Sequence, residues 1–383
     1  MIRLRTAMQA VPAYVAGRQG SALDSANQDV VQLASNECPF PPLPSVLVAM
    51  ARAAATANRY PDIDGLALRA RLADMHSVHV DQVVLGCGSI EVCRQAVTIA
   101  AESGSEVVHA SPTFPEYATL AALVGANARR VPLIGGRHDV SAMAEAVTER
   151  TRVVFVCNPN NPTGTALTLG ELTTLLDAIP PWCLVVVDEA YAEFAGPPEF
   201  GSALELLGQH ENLLVLRTFS KAYGLAGLRV GYGIGSAEVA AVLRLARVPF
   251  GVGSTALAAA AASIDARDEL AARVAVVRAA RDKLATQLTG LGWEVLPSQA
   301  NFLWVVAEEA RATRAARLCA EEGVLIRQLA GGLRVTIGTE KDNARLLHGL
   351  GAPPDPELTY STARGSAGRA NRYPSSPLSQ SEK

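Results

Sequence analysis

Short, nearly uninterrupted apolar runs alternate with longer stretches of helical periodicity up to about residue 255. The runs are Gln82–Leu85, Glu106–Ala110, Arg152–Cys157, Cys183–Val187, Leu213–Leu216 and Leu228–Ile234. They are rich in β-branched residues and lie helix-length intervals apart. This pattern predicts an α/β fold with a mostly parallel sheet covered on both faces. Most of the runs stop at a polar cluster: Gly86-Cys-Gly-Ser89, Ser111-Pro-Thr-Phe114, Asn158-Pro-Asn-Asn-Pro-Thr-Gly164, Asp188-Glu-Ala-Tyr191 and Ser220-Lys221. Ligands of open α/β sheets gather beyond the carboxyl ends of the strands, where these clusters fall.

After residue 255 the texture changes. Thr255 to Leu288 is Ala-rich with paired charges and predicts one long helix or two. Two more strands, Ala300–Val305 and Gly332–Ile337, flank a helical stretch from Ala310 to Glu322. The expected organisation is an N-terminal segment (1–35) joined to the small domain or a subunit interface, a large domain (36–255), a small α+β domain (256–351) and a disordered tail (352–383). The tail is rich in Pro, Ser and Gly, with Leu358 and Leu378 as its only large aliphatics.

The strongest chemical signal is Thr218-Phe-Ser-Lys-Ala-Tyr-Gly-Leu-Ala-Gly-Leu-Arg229. A lysine among small and apolar residues is poorly solvated, so its amine is easily kept neutral and nucleophilic, as an imine-forming lysine must be. Ser220 and Arg229 beside Lys221 offer a hydroxyl and a fixed charge to a phosphate. Gly86-Cys-Gly-Ser-Ile-Glu91 joins a strand to a helix start, whose free N–H groups suit the same anion. An aldehyde trap beside a phosphate clamp points to pyridoxal phosphate. Asp188 ends a very apolar strand, where a carboxylate is costly unless paired. A protonated pyridine nitrogen would be that pair; a helix N-cap at Asp188 or Glu189 is the plainer alternative. Asn161, in a rigid turn, and Tyr191 are candidates for the ring hydroxyl. Arg334 suits a substrate carboxylate but reads equally as a surface arginine on an edge strand. Phe114 is a candidate for the ring face. Gly231-Tyr-Gly-Ile-Gly235 falls short of a dinucleotide fingerprint, because position 236 is serine and no strand–helix context is expected there.

Composition narrows the classes. Of 383 residues, 49% are hydrophobic and 19% charged, enough for a large core. A net charge of -3 gives no reason to expect nucleic acid or an anionic membrane as partner. No apolar run is long enough to span a bilayer, and the N-terminus lacks the apolar stretch of a signal peptide, so a cytoplasmic protein is expected. The six cysteines have no metal-ligand or disulfide spacing, so no metal is expected.

With these residues assembled, the chain resembles fold-type I pyridoxal-phosphate aminotransferases, and more narrowly the class-II histidinol-phosphate aminotransferase family. The resemblance runs from about Tyr14 to Gly338. It rests on Leu33-Ala-Ser-Asn-Glu37, Asn58-Arg-Tyr-Pro-Asp62, Asn158–Gly164, Asp188-Glu-Ala-Tyr191, the Thr218–Arg229 segment, Gln299-Ala-Asn-Phe302 and Leu333-Arg-Val335. It implies Lys221 as the imine-forming lysine and proton shuttle, Asp188 at the pyridinium nitrogen, and Asn161 and Tyr191 at the ring oxygen. It implies Ser89, Ile90, Ser220 and Arg229 at the phosphate, with Tyr60 supplied by a second subunit of a homodimer. Arg334 would hold the substrate carboxylate, with Tyr14 and Asn36 lining the substrate side. Within the family, the likeness is to aromatic (phenylalanine) aminotransferases of actinobacterial type. It is carried by Gly86-Cys-Gly-Ser89 with Cys93 and Gln95, Val156–Asn161, Arg247-Val-Pro-Phe250 and Pro297–Asn301.

Two departures stand out: Ile90 replaces a usual acidic residue, and Phe114 replaces the usual ring-stacking tyrosine, losing a hydroxyl. Transamination of histidinol phosphate is the first rival, with Arg327 and Arg18 as candidates for its phosphate. A decarboxylase of the same fold is the second. A transcription regulator reusing the fold would need a DNA-binding domain, and too little chain precedes Tyr14 for one. A binding-only protein would not need Lys221, Asp188 and Arg229 together.

Overall fold

The computed structural model describes residue 2 and residues 30–351. Tyr14, Arg18 and the segment 352–383 lie outside the described residues. Among the described residues, twelve strands form two sheets. The chain enters with β1 (Val31–Leu33), part of the smaller sheet. The larger sheet holds β2 (Val83–Gly86), β3 (Glu106–Ser111), β4 (Asn127–Pro132), β5 (Thr151–Cys157), β6 (Leu184–Asp188), β7 (Leu213–Thr218) and β8 (Gly231–Gly235), in the order β2-β8-β7-β6-β5-β3-β4. The pairs from β7 through β4 are all parallel, while β8 runs antiparallel to both β7 and β2. The smaller sheet is completed by β9 (Glu294–Val295), β10 (Phe302–Val306), β11 (Val324–Leu329) and β12 (Gly332–Thr336), in the order β1-β11-β12-β10-β9.

The helices that cover the larger sheet explain why its strands read as unbroken apolar runs. On one face, Val107, Phe155, Val186, Leu214 and Leu216 pack under α3 (Ser89–Ala100) and α4 (Glu116–Val124). On the other, Val108, Val154, Val156, Val185, Val187, Leu213 and Val215 pack toward α6 (Leu169–Ala178) and the preceding α5 (Val140–Glu145). Alternate residues of one strand point to opposite faces, so both sets must be apolar. The β2 edge is covered by α1 (Pro44–Ala54), α2 (Leu66–His76) and α8 (Ser254–Asp265), whose Val46, Leu72, Ala256 and Ala260 pack with Val83, Tyr232 and Ile234. The smaller sheet packs on α9 (Arg267–Gly290), α10 (Glu309–Glu321) and α11 (Glu340–Leu350) through Val277, Leu284, Ala315, Cys319 and Leu346. Local signals fix several boundaries. Pro44 opens α1, and Thr168 with Glu171 forms a capping box on α6, as Thr339 with Asp342 does on α11.

Three expectations change. The Ala-rich stretch from Thr255 is two helices, one of the two forms expected, but the first of them packs with the larger sheet and not with the smaller one. The Gly231–Gly235 segment does run from a strand into a helix, α7 (Ala237–Leu245), capped by Ser236. Its first glycine serves packing: a Cβ on Gly231 would lie 2.3 Å from the Ser89 nitrogen. Third, β12 lies between β11 and β10, so Arg334 is on an interior strand and not on an edge.

Strand β6, which ends at Asp188, and strand β7, which leads to Lys221, are covered on both faces. Truncating Leu216, fully buried in β7, is expected to destabilise the fold by about 2–5 kcal/mol through lost transfer energy and a residual cavity. Thermal melting of Leu216→Ala against the parent chain checks this.

Candidate active site

The polar clusters converge on one cavity of about 670 Å³ at the carboxyl edge of the larger sheet, closed on one side by residues of the smaller sheet. Ser89, Ile90, Phe114, Asn161, Asp188, Tyr191, Ser220, Lys221, Arg229 and Arg334 all line it, as does Asn36. Tyr60 does not. It is 83% exposed and stacks on Phe250 with ring centroids 4.6 Å apart.

At the floor, Asp188 ends β6, and the Tyr117 hydroxyl donates to its Oδ2 at 2.9 Å. Its Oδ1 is buried without a partner. Asp188 caps no helix, because the next element is a short 3₁₀ turn, Ala192–Phe194, led by Tyr191 without a side-chain cap. Desolvation pushes the Asp188 carboxyl up to about 6, opposed by its hydrogen bonds from Tyr117 and the Ala190 backbone. Glu189, the other candidate cap, faces away. It is fully buried and bonded to Arg217 (2.7 Å), Ser202 (2.9 Å) and the Ala203 nitrogen (2.6 Å), a structural ion pair on the far side of the strand.

Lys221 follows β7, and its Nζ donates to the Ser35 carbonyl at 3.1 Å. Burial, reinforced by Arg334, lowers its ammonium from 10.5 to about 8. The sequence holds only three other lysines, Lys283, Lys341 and Lys383. Lys283 is exposed and paired with Glu340 at 3.0 Å.

Beside Lys221, Arg229 Nη1 donates to Ser220 Oγ at 3.2 Å and to the Ala226 carbonyl at 2.9 Å. Arg229 sits at φ 54°, a left-handed conformation that costs a non-glycine residue about 1–2 kcal/mol. Its guanidinium reaches Gly88, the residue before α3, at φ 78°, where a Cβ would lie 2.5 Å from Arg229 Nη2. The start of α3, Ser220 and Arg229 thus form a cradle of N–H, hydroxyl and guanidinium donors that suits an anion.

The far wall comes from the smaller sheet. Arg334 Nη1 donates to Asn161 Oδ1 at 2.7 Å, and its Nη2 bonds the Ala34 carbonyl. Asn36 Nδ2 donates to the Tyr191 hydroxyl at 3.1 Å, while Thr336 Oγ1 donates to Asn36 Oδ1 at 3.2 Å. Asn36 is 1% exposed, so its side chain links the two sheets at the edge of the cavity. The turn that carries Asn161 is fixed by its other asparagines. Asn158 Oδ1 accepts from the Leu167 nitrogen at 2.8 Å, and Asn160 bonds Thr163 (2.8 Å) and Thr113 (2.7 Å). Lining residues that escaped the sequence reading include Glu37, Thr113, Glu116, Cys157 and Leu329. Tyr117, behind the lining, escaped it too; its helical spacing from Phe114 was the available signal.

The family model for aminotransferase class I and II matches residues 28–350. The chain belongs to this family. It is 44% identical over 343 residues to the aromatic amino acid aminotransferase of Streptomyces coelicolor, covering 89% of this chain and 94% of that one. It is 46% identical over 345 residues to the protein of that name from Thermobifida fusca, covering 90% and 95%. Among solved structures, the histidinol-phosphate aminotransferase from Sinorhizobium meliloti, in complex with pyridoxal-5'-phosphate, superposes with a TM-score of 0.85 at 27% identity over 95% of this chain and 99% of that one. Among the described residues, no helix is long and apolar enough to cross a membrane.

An amine lowered to about 8 is half neutral there and fully reactive above it. In the protein without cofactor, one amine should therefore react with trinitrobenzenesulfonate with a pH midpoint near 8 and vanish in Lys221→Ala. A midpoint near the ordinary lysine value would show that the site does not depress Lys221.

Proposed function

We propose that this aminotransferase moves the amino group between an aromatic L-amino acid (phenylalanine, tyrosine or tryptophan) and a 2-oxo acid such as 2-oxoglutarate, using pyridoxal 5'-phosphate. The observation that carries the chemistry is one cavity containing a depressed amine, Lys221, and a buried, half-unpartnered carboxylate, Asp188. The fit to the cofactor rests on that orphaned Oδ1, which suits a cationic ring nitrogen, and on the cradle between Gly88, Ser220 and Arg229, which suits its phosphate. The aromatic preference is supported by the names of the relatives at 44% and 46% identity. Apolar lining from Ile90, Phe114 and Leu329 agrees with it.

When bound, pyridoxal phosphate supplies an electron sink for the charge that develops at the substrate α-carbon. Ser89, the Ile90 backbone, Ser220 and Arg229 would hold the phosphate. Asp188 would keep the ring nitrogen protonated, Tyr191 and Asn161 would bond the ring oxygen, and Phe114 would cover the ring face. Arg334 would receive the substrate carboxylate. Lys221 Nζ, as a neutral amine facing the substrate side of the cavity, would take up the proton lost from the substrate α-carbon and pass it on. Burial lowers the cost of keeping that amine neutral.

The reading includes a cytoplasmic homodimer in which exposed Tyr60 reaches the phosphate of the second copy, and Tyr14 on the substrate side. It also includes two domains built on the two sheets. The packing of α8 with the larger sheet supports a join between them near Ala266, between α8 and α9.

Histidinol phosphate is the second reading, because Arg327 pairs across the sheet with Arg334 and both line the cavity. Side-by-side kcat/KM for phenylalanine, tyrosine, tryptophan and histidinol phosphate with 2-oxoglutarate separates the two. We expect the aromatic amino acids to lead; a strong preference for histidinol phosphate would reverse the assignment. Lys221→Ala should fold and lose turnover. Asp188→Asn should bind cofactor and turn over roughly 100-fold or more slowly. Unchanged turnover in either variant would remove that residue from its role.

A further inference from the structure

We propose that Tyr117 is a positioning residue that orients Asp188 and holds it ionised, and so sets the charge of the ring nitrogen that this carboxylate receives. The proposal rests on the reading that the cavity binds pyridoxal phosphate.

The geometry is specific. Tyr117 and Asp188 are both buried, and the phenol donates to Oδ2 at 2.9 Å while Oδ1 has no partner. One oxygen is thus tied back, and the other is left for the ring. The phenol cannot swing away. Its ring stacks on Phe155 at 4.3 Å and 6°, and meets Phe114 edge-on at 5.5 Å and 80°. Phe114 lies two residues before α4 and Tyr117 in its first turn, so one short segment carries both the residue proposed for the ring face and the support for the one proposed for the ring nitrogen.

The remaining groups around Asp188 do less to keep it ionised. Glu189, the next residue in sequence, is a like charge offset by Arg217. Cys93 of α3 and Cys157 of β5 are held as thiols by burial. Tyr191 is a further neutral phenol, and Lys221 contributes a favourable but weaker attraction. Burial also keeps Tyr117 protonated well beyond its ordinary range, so it remains a donor at every pH at which the protein works.

The test measures pyridoxal phosphate binding to the cofactor-free protein by equilibrium dialysis across pH, without turnover. A cationic ring needs an ionised Asp188, so affinity falls as pH drops through the carboxyl's midpoint. The cofactor phosphate titrates near the same range in every protein compared, so the difference between proteins is the readout. Tyr117→Phe keeps the aromatic packing and removes the donor. Its midpoint should rise by about one pH unit, as expected when a hydrogen bond to the charged form is lost. A ring-fluorinated tyrosine inserted at position 117 is a stronger donor of nearly the same shape, and its midpoint should fall below the parent's. If Tyr117→Phe fails to fold, the fluorinated protein decides alone. Coincident midpoints would overturn the proposal while leaving the cofactor reading intact. A parent protein that binds no pyridoxal phosphate at any pH would overturn both.

Discussion

A carboxylate taken out of water at the end of a fully buried strand must be answered by something, and Asp188 is answered only in part. Its strand is flanked by β5 and β7 and covered on both faces, so water does not reach it from the sides. Leaving a buried polar oxygen unpaired costs about 1–3 kcal/mol, more for a charged group. The Tyr117 hydroxyl offsets part of that cost, and the open oxygen is the position at which a cationic ligand gains most. The same desolvation acts in the opposite sense on Lys221, favouring the neutral amine. One low-dielectric pocket thus shapes both an electrostatic partner for a heterocycle and a nucleophile beside it.

The two sheets divide the labour. The larger one carries the groups suited to hold a cofactor, because parallel strands deliver their carboxyl ends to one edge. The smaller one supplies Arg334, and its Thr336 clamps Asn36 against Tyr191. Arg334 reaches Asn161 across this boundary at 2.7 Å, so the residue proposed for the substrate is braced by the one proposed for the ring. Membership of the aminotransferase family agrees with this arrangement, and the relatives span the same length of chain.

Much of this was legible in the sequence, for a physical reason. Strands buried on both faces leave continuous apolar runs, against which the polar clusters that end them stand out. The β3, β5, β6 and β7 runs could therefore be read with their terminal clusters. Strand β4 could not, since Asn127–Pro132 lies at an edge and is largely exposed, with Val131 as its one buried residue. Strands β1 and β11 are short or half-buried and carry no strong alternation. Tyr117 was hidden for the opposite reason. A tyrosine in an apolar helix reads as core, and its bond to Asp188 spans 71 residues of sequence. Tyr60 illustrates the remaining limit: its role is an expectation about a second copy of the chain, which no single chain displays.

The account stands on Lys221 being the residue that captures the cofactor aldehyde. Incubating the protein with pyridoxal phosphate, reducing with borohydride and mapping the peptides by mass spectrometry tests this directly, since only four lysines compete. The account predicts a single stoichiometric adduct on Lys221, despite the exposure of Lys283. An adduct spread over Lys283, Lys341 and Lys383, or absent from Lys221, would contradict it.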